Sequence, residues 1–445
     1  MKIFRNVSLI LVTIAYVSCS GTSEDPLIGD WDRRSVFPIG GRGYAASFVI
    51  DNTGYVVGGF DGTNPPRTEV VAFVHNLGSV LTHDQTRTMG QWNRDLGHHS
   101  EEMYPRQQAV GFSLTTNGNS YGYVGSGWIW KHIERDDREE YATANDFWRY
   151  DPADNTWQEI APLPAPPRRG AFAFSLTVDG KEYGFVGGGT TDRQGFDFNG
   201  IPSFTIANRN EFLNDLWRYD PEGSTQVMRQ VITIEQDANG DDFDVVTEEI
   251  VELPGQWTAI GDAHFGKRAG GVAFVIDNKA YICNGVNPTN INDFWVFNPN
   301  RETYIDGFLD DDGKPRVWRQ LRTMNSVNPD ESFDDDYRPL GRTGGVAYTV
   351  RVPERNNILT GHIVGGSQTN GSTNWEYDED DDLWMQRTSF MNHQFAQHRE
   401  GMVSFSFPST GRAFIALGRS GPAQFWDEVW EFIPRVDDVV FRDLQ

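Results

Sequence analysis

The stretch NDFWRYDP at residues 145–152 returns as NDLWRYDP at 214–221 and as NDFWVFNP at 292–299. Aromatic residues alternate along each copy, and a period of two sends successive side chains to opposite faces of an extended strand. Each copy is preceded by a run rich in glycine, β-branched and aromatic residues, and each is followed by a tryptophan. GAFAFSLTVDGKEYGFVGGG at 170–189, for instance, leads through a loop to NDLWRYDP and then to GQWTAI at 255–260. The flanking AFAFSL alternates as well, so it also reads as strand. No segment carries the periodicity of a long amphipathic helix.

A second regularity lies in the strand starts. Arg42, Arg106, Arg168, Arg268, Arg342 and Arg399 each stand six residues before an aromatic: Phe48, Phe112, Phe174, Phe274, Tyr348 and Phe405. A tryptophan precedes each arginine, namely Trp31, Trp92, Trp157, Trp257, Trp318 and Trp384, and three of the separations are eleven residues. Glycine pairs close the second strand at Gly58-Gly59, Gly187-Gly188 and Gly365-Gly366, with relaxed versions at 125–127, 284–285 and 417–418.

Together these features resemble the kelch repeat: a strand pair ending in Gly-Gly, an aromatic third strand and a Trp on the fourth. The resemblance covers nearly the whole of 30–445. It implies an all-β fold, a six-bladed kelch-type β-propeller with four antiparallel strands in each blade. Uneven intervals then fall in the loops, because each blade packs on its neighbours while rim loops are free to lengthen. Trp31 has no blade before it, and the last repeat, ending DEVWEFIP, has no Trp after it. The N-terminal strand around DWDRRSVF is therefore expected to complete the sixth blade and close the ring, which removes two sheet edges.

The bulk composition agrees with a soluble, turn-dense chain. Its 445 residues include 46 Gly and 22 Pro, and the 14 Trp and 29 Phe supply a large apolar mass. A formal net charge of -25 argues against nucleic acid or an anionic membrane surface as a partner. Residues 1–18 have Lys2 and Arg5 ahead of a short apolar run, the pattern of a secretion signal. The end of this segment, AYVSC, resembles the lipobox of bacterial lipoproteins, with Tyr16 where that family usually has Leu. The resemblance implies lipid on Cys19, a polar tether over 19–29, and a place in the cell envelope, outer membrane or periplasm, with the membrane touched only through the anchor. Cys283 is the one other cysteine, so a lipidated Cys19 leaves no disulfide.

In a propeller the turns between strands one and two, and three and four, share one face. Acid-rich turns at 235–244, 307–315 and 377–384 fall there. The first sets Asp237, Asn239, Asp241 and Glu248 at EF-hand-like spacing, but Asp242 occupies the position that needs Gly, so a solvated hairpin tip is the better reading. No metal site and no cofactor are expected. The opposite face receives the long loops at 127–143 and 190–212, with Trp128, Trp130, Phe196, Phe198 and Phe204 outside the blade pattern. Loop aromatics are stacking platforms for sugars or peptides, or a satellite core. In kelch domains the arginines open the innermost strand near the mouth of the central channel, so Arg42, Arg106, Arg168, Arg268, Arg342 and Arg399 are the expected ligand-binding residues, with Trp128 and Trp130. Acidic side chains of their own neighbourhood are the alternative partners for the same guanidinium groups.

Galactose oxidase shares the kelch-type propeller, but its copper ligands do not map onto this chain, and Cys283 sits in a strand where Val57 is its counterpart. Sialic-acid mutarotases are six-bladed and act on a sugar carboxylate. Ring opening at an anomeric centre needs a placed acid and base, for which Glu101, Glu102, His98, His99 and His132 are on the same face. His393 and His398 read as loop residues rather than metal ligands. The expected function is a non-catalytic kelch propeller of the bacterial envelope that binds a carbohydrate or an envelope protein. The alternative is a mutarotase for sialic acid or a related acidic sugar.

Overall fold

The computed structural model describes residues 29–78, 88–133, 138–192, 210–236, 242–261, 264–300, 317–324, 341–366, 372–390 and 398–434. Cys19 and the segment before it, Phe196, Phe198, Phe204, Asp237, Asn239, Asp241 and His393 lie outside those residues, as does the acid-rich turn at 307–315. So does the side chain of His132.

Among the described residues the chain forms six four-stranded antiparallel sheets, together with three smaller ones. The innermost strands are Ala46–Ile50, Val110–Thr116, Phe172–Val178, Val272–Ile276, Gly345–Val352 and Val403–Phe407. Each lies against the next and the last lies against the first, so the sheets close as a β-propeller. In five sheets the strands run outward in chain order. In the sixth, the outer place is taken by Asp30–Arg33, paired with Val429–Ile433 through Trp31↔Phe432, as expected from the unmatched ends. The only helical element among the described residues is a 3-10 turn at Pro353–Arg355. The third and fourth strands of blade 3, Leu216–Gln236 and Asp242–Ile260, run on as a long hairpin beyond the sheet.

Aromatic pairs explain the spacing of the repeat. In every blade the outer tryptophan sits opposite an aromatic of the third strand: Trp92 on Phe73, Trp157 on Tyr150, Trp257 on Tyr219, Trp318 on Phe297, Trp384 on Tyr377 and Trp31 on Phe432. The six ring pairs are 4.7 to 5.3 Å apart and tilted, an arrangement the ring quadrupoles favour. Six apolar clusters each join two adjacent blades, and the one holding Trp31 joins blades 5 and 6. Much of the apolar core therefore lies between neighbouring blades.

Two closed rings of backbone hydrogen bonds fix the centre. In the first, Gln108 donates to Tyr44, Gly170 to Gln108, Gly270 to Gly170, Gly344 to Gly270, Gly401 to Gly344 and Tyr44 to Gly401, at 2.7 to 3.4 Å. In the second, the amides of Gly59, Gly127, Gly189, Gly285, Gly366 and Gly418 donate to the arginine carbonyl of the following blade, ending with Gly418 on Arg42, at 2.7 to 3.1 Å. These glycines are the second member of each pair, so the pair in blade 3 is Gly188-Gly189 and not Gly187-Gly188. The first member tolerates a side chain at positive φ (Ser126, Asn284, Leu417) whereas the second does not. At Gly285, with φ +101, an added Cβ would stand 2.9 Å from the Ala269 carbonyl oxygen. Gly285→Ala is expected to cost about 1–3 kcal/mol through that overlap and the unfavourable φ, seen as a lower midpoint in chemical unfolding.

Candidate functional site

The six repeat arginines stand where the chain enters the innermost strands, and all are 0 to 3% exposed. Arg168 donates to both oxygens of Asp215 at 2.6 and 2.7 Å and to the Gly188 carbonyl at 3.0 Å. Arg106 repeats this with Asp146 and the Ser126 carbonyl, and Arg268 with Asp293 and the Asn284 carbonyl. Arg42 uses Glu69 and the Gly58 carbonyl, and Arg399 uses Glu428 while lying over the Phe390 and Trp426 rings. Arg342 differs, donating to the Gly365 carbonyl and to both oxygens of Thr373. The acceptor is in every case the residue just before the third strand: the Asp of the repeated Asn-Asp pair in blades 2 to 4, Glu69 and Glu428 in blades 1 and 6, and Thr373 in blade 5. Two residues further on, the indole N–H of Trp148, Trp217 and Trp295 donates to that same carboxylate at 2.8 Å. Burial alone would raise the Asp146 carboxyl, but Arg106 and the hydrogen bonds outweigh it and hold the group below its ordinary value. The guanidinium groups of the expected ligand-binding set are thus engaged inside the blades, where five of them tie the first, second and third strands together and Arg399 ties the first to the third.

Two residues follow each arginine before the innermost strand continues. The second of the two is the member of the first hydrogen-bonded ring. It is glycine in blades 3 to 6, but Tyr44 at φ 57 in blade 1 and Gln108 at φ 54 in blade 2. A bulky residue held there costs on the order of 1–2 kcal/mol, which points from strain to function. Around this hub lie buried polar atoms with no hydrogen-bond partner: Gln107 Oε1, Gln108 Nε2 and Thr343 Oγ1, with Ser126 Oγ and the Asn284 amide at the adjoining glycine pairs. Each such group costs about 1–3 kcal/mol if nothing meets it, so a concentration of them at one end of the axis marks a place for a ligand or bound water.

The hub has two polar corners. At blades 6 and 1, Arg419 Nε and Nη2 donate to Glu400 Oε1 at 2.9 and 2.7 Å, and the Arg419 guanidinium lies 5.1 Å from the Tyr44 ring centre. At blades 2 and 3, Arg169 donates to Gln108 Oε1 at 3.0 Å and lies 4.7 Å from the Trp128 ring centre.

No protein-family model matches this chain, and no curated protein does. Solved structures do: 185 chains match. One, titled "Structure of YjhT", has a TM-score of 0.53 at 13% identity, covering 91% of this chain and 98% of that one. The likeness shows the fold, a β-propeller.

The loop aromatics are arranged differently from a free platform. Trp128 is 5% exposed, stacked on Tyr141 at 4.3 Å within a three-stranded sheet of Arg106–Gln107, Trp128–Ile133 and Arg138–Thr143. Trp130 meets the edge of Tyr141 and donates to Glu139. Tyr141 in turn donates to Asn64 and accepts from Gln107, so this sheet is a satellite core seated on the hub. His98, Glu101 and Glu102 are exposed, with His98 bonded to Thr68, and His398 is exposed as well. Glu248 is exposed on the blade 3 hairpin. Cys283 is fully buried, and burial pushes its thiol up to about 12, as suits a packing residue. Among the described residues no group of three or more His, Cys, Asp or Glu converges as a metal site. Gln107, Gln108, Glu400 and Arg419 escaped the sequence reading. Their one signal was position: Tyr44 and Gln108 interrupt a column that is otherwise glycine.

Three buried histidines give the fold a pH dependence. Burial is the first cause lowering His75, His99 and His362 to about 4. An unfolded chain takes up protons at these positions near pH 6.5, so between there and pH 4 unfolding binds protons and stability falls as pH falls. Thermal melts from pH 7 downward are expected to show a steady loss of midpoint across that window. A flat profile would contradict neutral, buried imidazoles.

Proposed function

We propose that this chain is a kelch-type propeller of the bacterial cell envelope, anchored by lipid on Cys19 and binding a carbohydrate or an envelope protein at the hub. The observation that carries this reading is the group of buried, unpartnered donors and acceptors at Gln107, Gln108 and Thr343. Donors and acceptors mixed within a few side chains suit hydroxyl-rich ligands, and the strained Tyr44 and Gln108 backbone fits a site held ready for use. The repeat arginines act in this proposal as the frame of the hub. A glycan array run beside a crosslinked pull-down from envelope extract tests it. Binding that is lost in Gln108→Ala together with Thr343→Ala supports the hub, and binding unaffected by that pair removes it. For the anchor, Cys19→Ala should abolish incorporation of labelled fatty acid, and labelling that persists would refute Cys19 as the attachment point.

A second reading is a mutarotase acting on sialic acid or a related acidic sugar. It is favoured by one feature, the phenol of Tyr44 beside the Glu400 carboxylate, a proton donor and acceptor at one corner. Proton NMR of a freshly dissolved acidic sugar should then show faster anomer equilibration with catalytic protein, and an unchanged rate would discard this reading.

A further inference from the structure

We propose that a cavity on the face opposite the hub binds a small organic carboxylate, held by Arg351 together with Arg412. This site is separate from the hub, and neither reading depends on the other. The cavity, about 620 Å³, lies where the turns joining the first two strands of blades 5 and 6 meet the end of the strand Val429–Ile433. Its lining combines the polar Arg351, Asn357, Thr410 and Arg412 with the apolar Ile433 and Pro434. Thr343 of the hub just precedes the strand Gly345–Val352 and Arg351 stands near its end, so the two sites are roughly 25 Å apart at an extended rise.

Charge and geometry decide the class of ligand. The chain has a net charge of -25, yet among the described residues no carboxylate lines this cavity. The fully buried Glu431 accepts from Arg412 at 2.6 and 2.7 Å and also from Arg34, which is bonded in turn to Asp32. Those two acids match two arginines, and the charge of Arg351 is left over. More distant acids act through water and salt, with a Debye length of about 8 Å at physiological ionic strength, so the adjacent guanidinium outweighs them. Arg351 is also preset. Its stem lies against Gly411, where an added Cβ would come within 2.7 to 2.8 Å of three of its carbons, and its Nη1 donates to the Asn357 carbonyl at 3.0 Å. That carbonyl belongs to a turn with Asn356 and Asn357 at φ 56 and 61, a conformation asparagine tolerates. Nε and Nη2 remain, the edge of the fork that meets both oxygens of a carboxylate. Arg412 commits Nε and Nη2 to Glu431 and presents Nη1 as a further donor. Ile433 and Pro434 then suit an apolar body carrying the acid.

Ligand-observed NMR titration of the full chain with benzoate, and with benzamide as its neutral counterpart, reads the site. Wild type is expected to bind benzoate about tenfold or more tightly than benzamide. Arg351→Gln removes the charge from an exposed side chain that holds no carboxylate of its own, so it should melt like wild type and weaken benzoate by about tenfold or more. Arg351→Lys keeps the charge but cannot meet both oxygens from one edge, and should recover only part of the loss. Inorganic phosphate is the remaining arm. Phosphate bound more tightly than benzoate would overturn the assignment to a carboxylate. Equal binding of benzoate by wild type and Arg351→Gln, or no binding at millimolar concentration, would overturn the site itself. The comparison of benzoate with benzamide needs no variant, so equal affinity for the two would overturn it even if Arg351→Gln failed to fold.

Discussion

Arg168→Ala is expected to lower the melting temperature by on the order of 5–10 °C, the thermal counterpart of about 3–5 kcal/mol. The size follows from what the side chain leaves behind. Its guanidinium is wholly buried, whereas Asp215, which it holds with two hydrogen bonds, is one-third exposed. Removing the cation strands a half-sheltered carboxylate, an unmet Gly188 carbonyl and an indole N–H whose acceptor is no longer fixed. Arg168→Lys keeps the charge but cannot serve two carboxylate oxygens and a carbonyl from one fork, so it should recover only part of the loss. Lys267→Ala, half exposed in the same segment, is the control and should change little. If Arg168→Ala instead melts like wild type and loses a ligand, the arginines serve binding and the frame described above is wrong.

That expectation reverses the emphasis a reader of the chain alone would give these arginines. The recurrence of Asn-Asp-aromatic-Trp made the blades legible, because alternation, closing glycines and paired tryptophans are all local patterns with a fixed physical meaning. The closure by Asp30–Arg33 was also legible, since one Trp lacked a blade and one blade lacked a Trp. What could not be read was the partner of each arginine. Asp215 lies 47 residues beyond Arg168, across loops whose lengths differ in every repeat, and only the fold reveals that this Asp is the fixed acceptor. The hub was hidden for a related reason. Arg419, Glu400 and Tyr44 come from opposite ends of the chain and meet only because the propeller closes between blades 6 and 1. The choice between stacking platform and satellite core for Trp128 was not legible either, because nothing in its local sequence reveals that Tyr141 and Arg169 cover it.

Deletion of residues 29–37 is expected to have the largest effect of all, loss of the stable monomer. The strand Asp30–Arg33 supplies the outer edge of blade 6, and Trp31 within it is 5% exposed against Tyr348, Phe390 and Phe432, its indole donating to the Thr388 carbonyl of blade 5. Arg34 follows, buried and bonded to Glu431, and the Arg34 and Phe37 amides pin the chain to Val429 and Asp427. Trp31→Ala alone should cost about 3–5 kcal/mol by emptying that aromatic nest. Deleting the whole strand adds an exposed strand edge along Val429–Ile433, a template for pairing with another chain. Size-exclusion chromatography is expected to show aggregates or exchanged dimers. A peptide spanning 29–38, added in trans, should restore the monomer by re-forming the missing pairs. Glu431 would still be held by Arg412, so the blade itself survives and the defect lies in ring closure. A truncated chain that stays monomeric and melts within about 2 °C of wild type, roughly a 1 kcal/mol effect, would mean that blades 6 and 1 hold the ring without their N-terminal clasp.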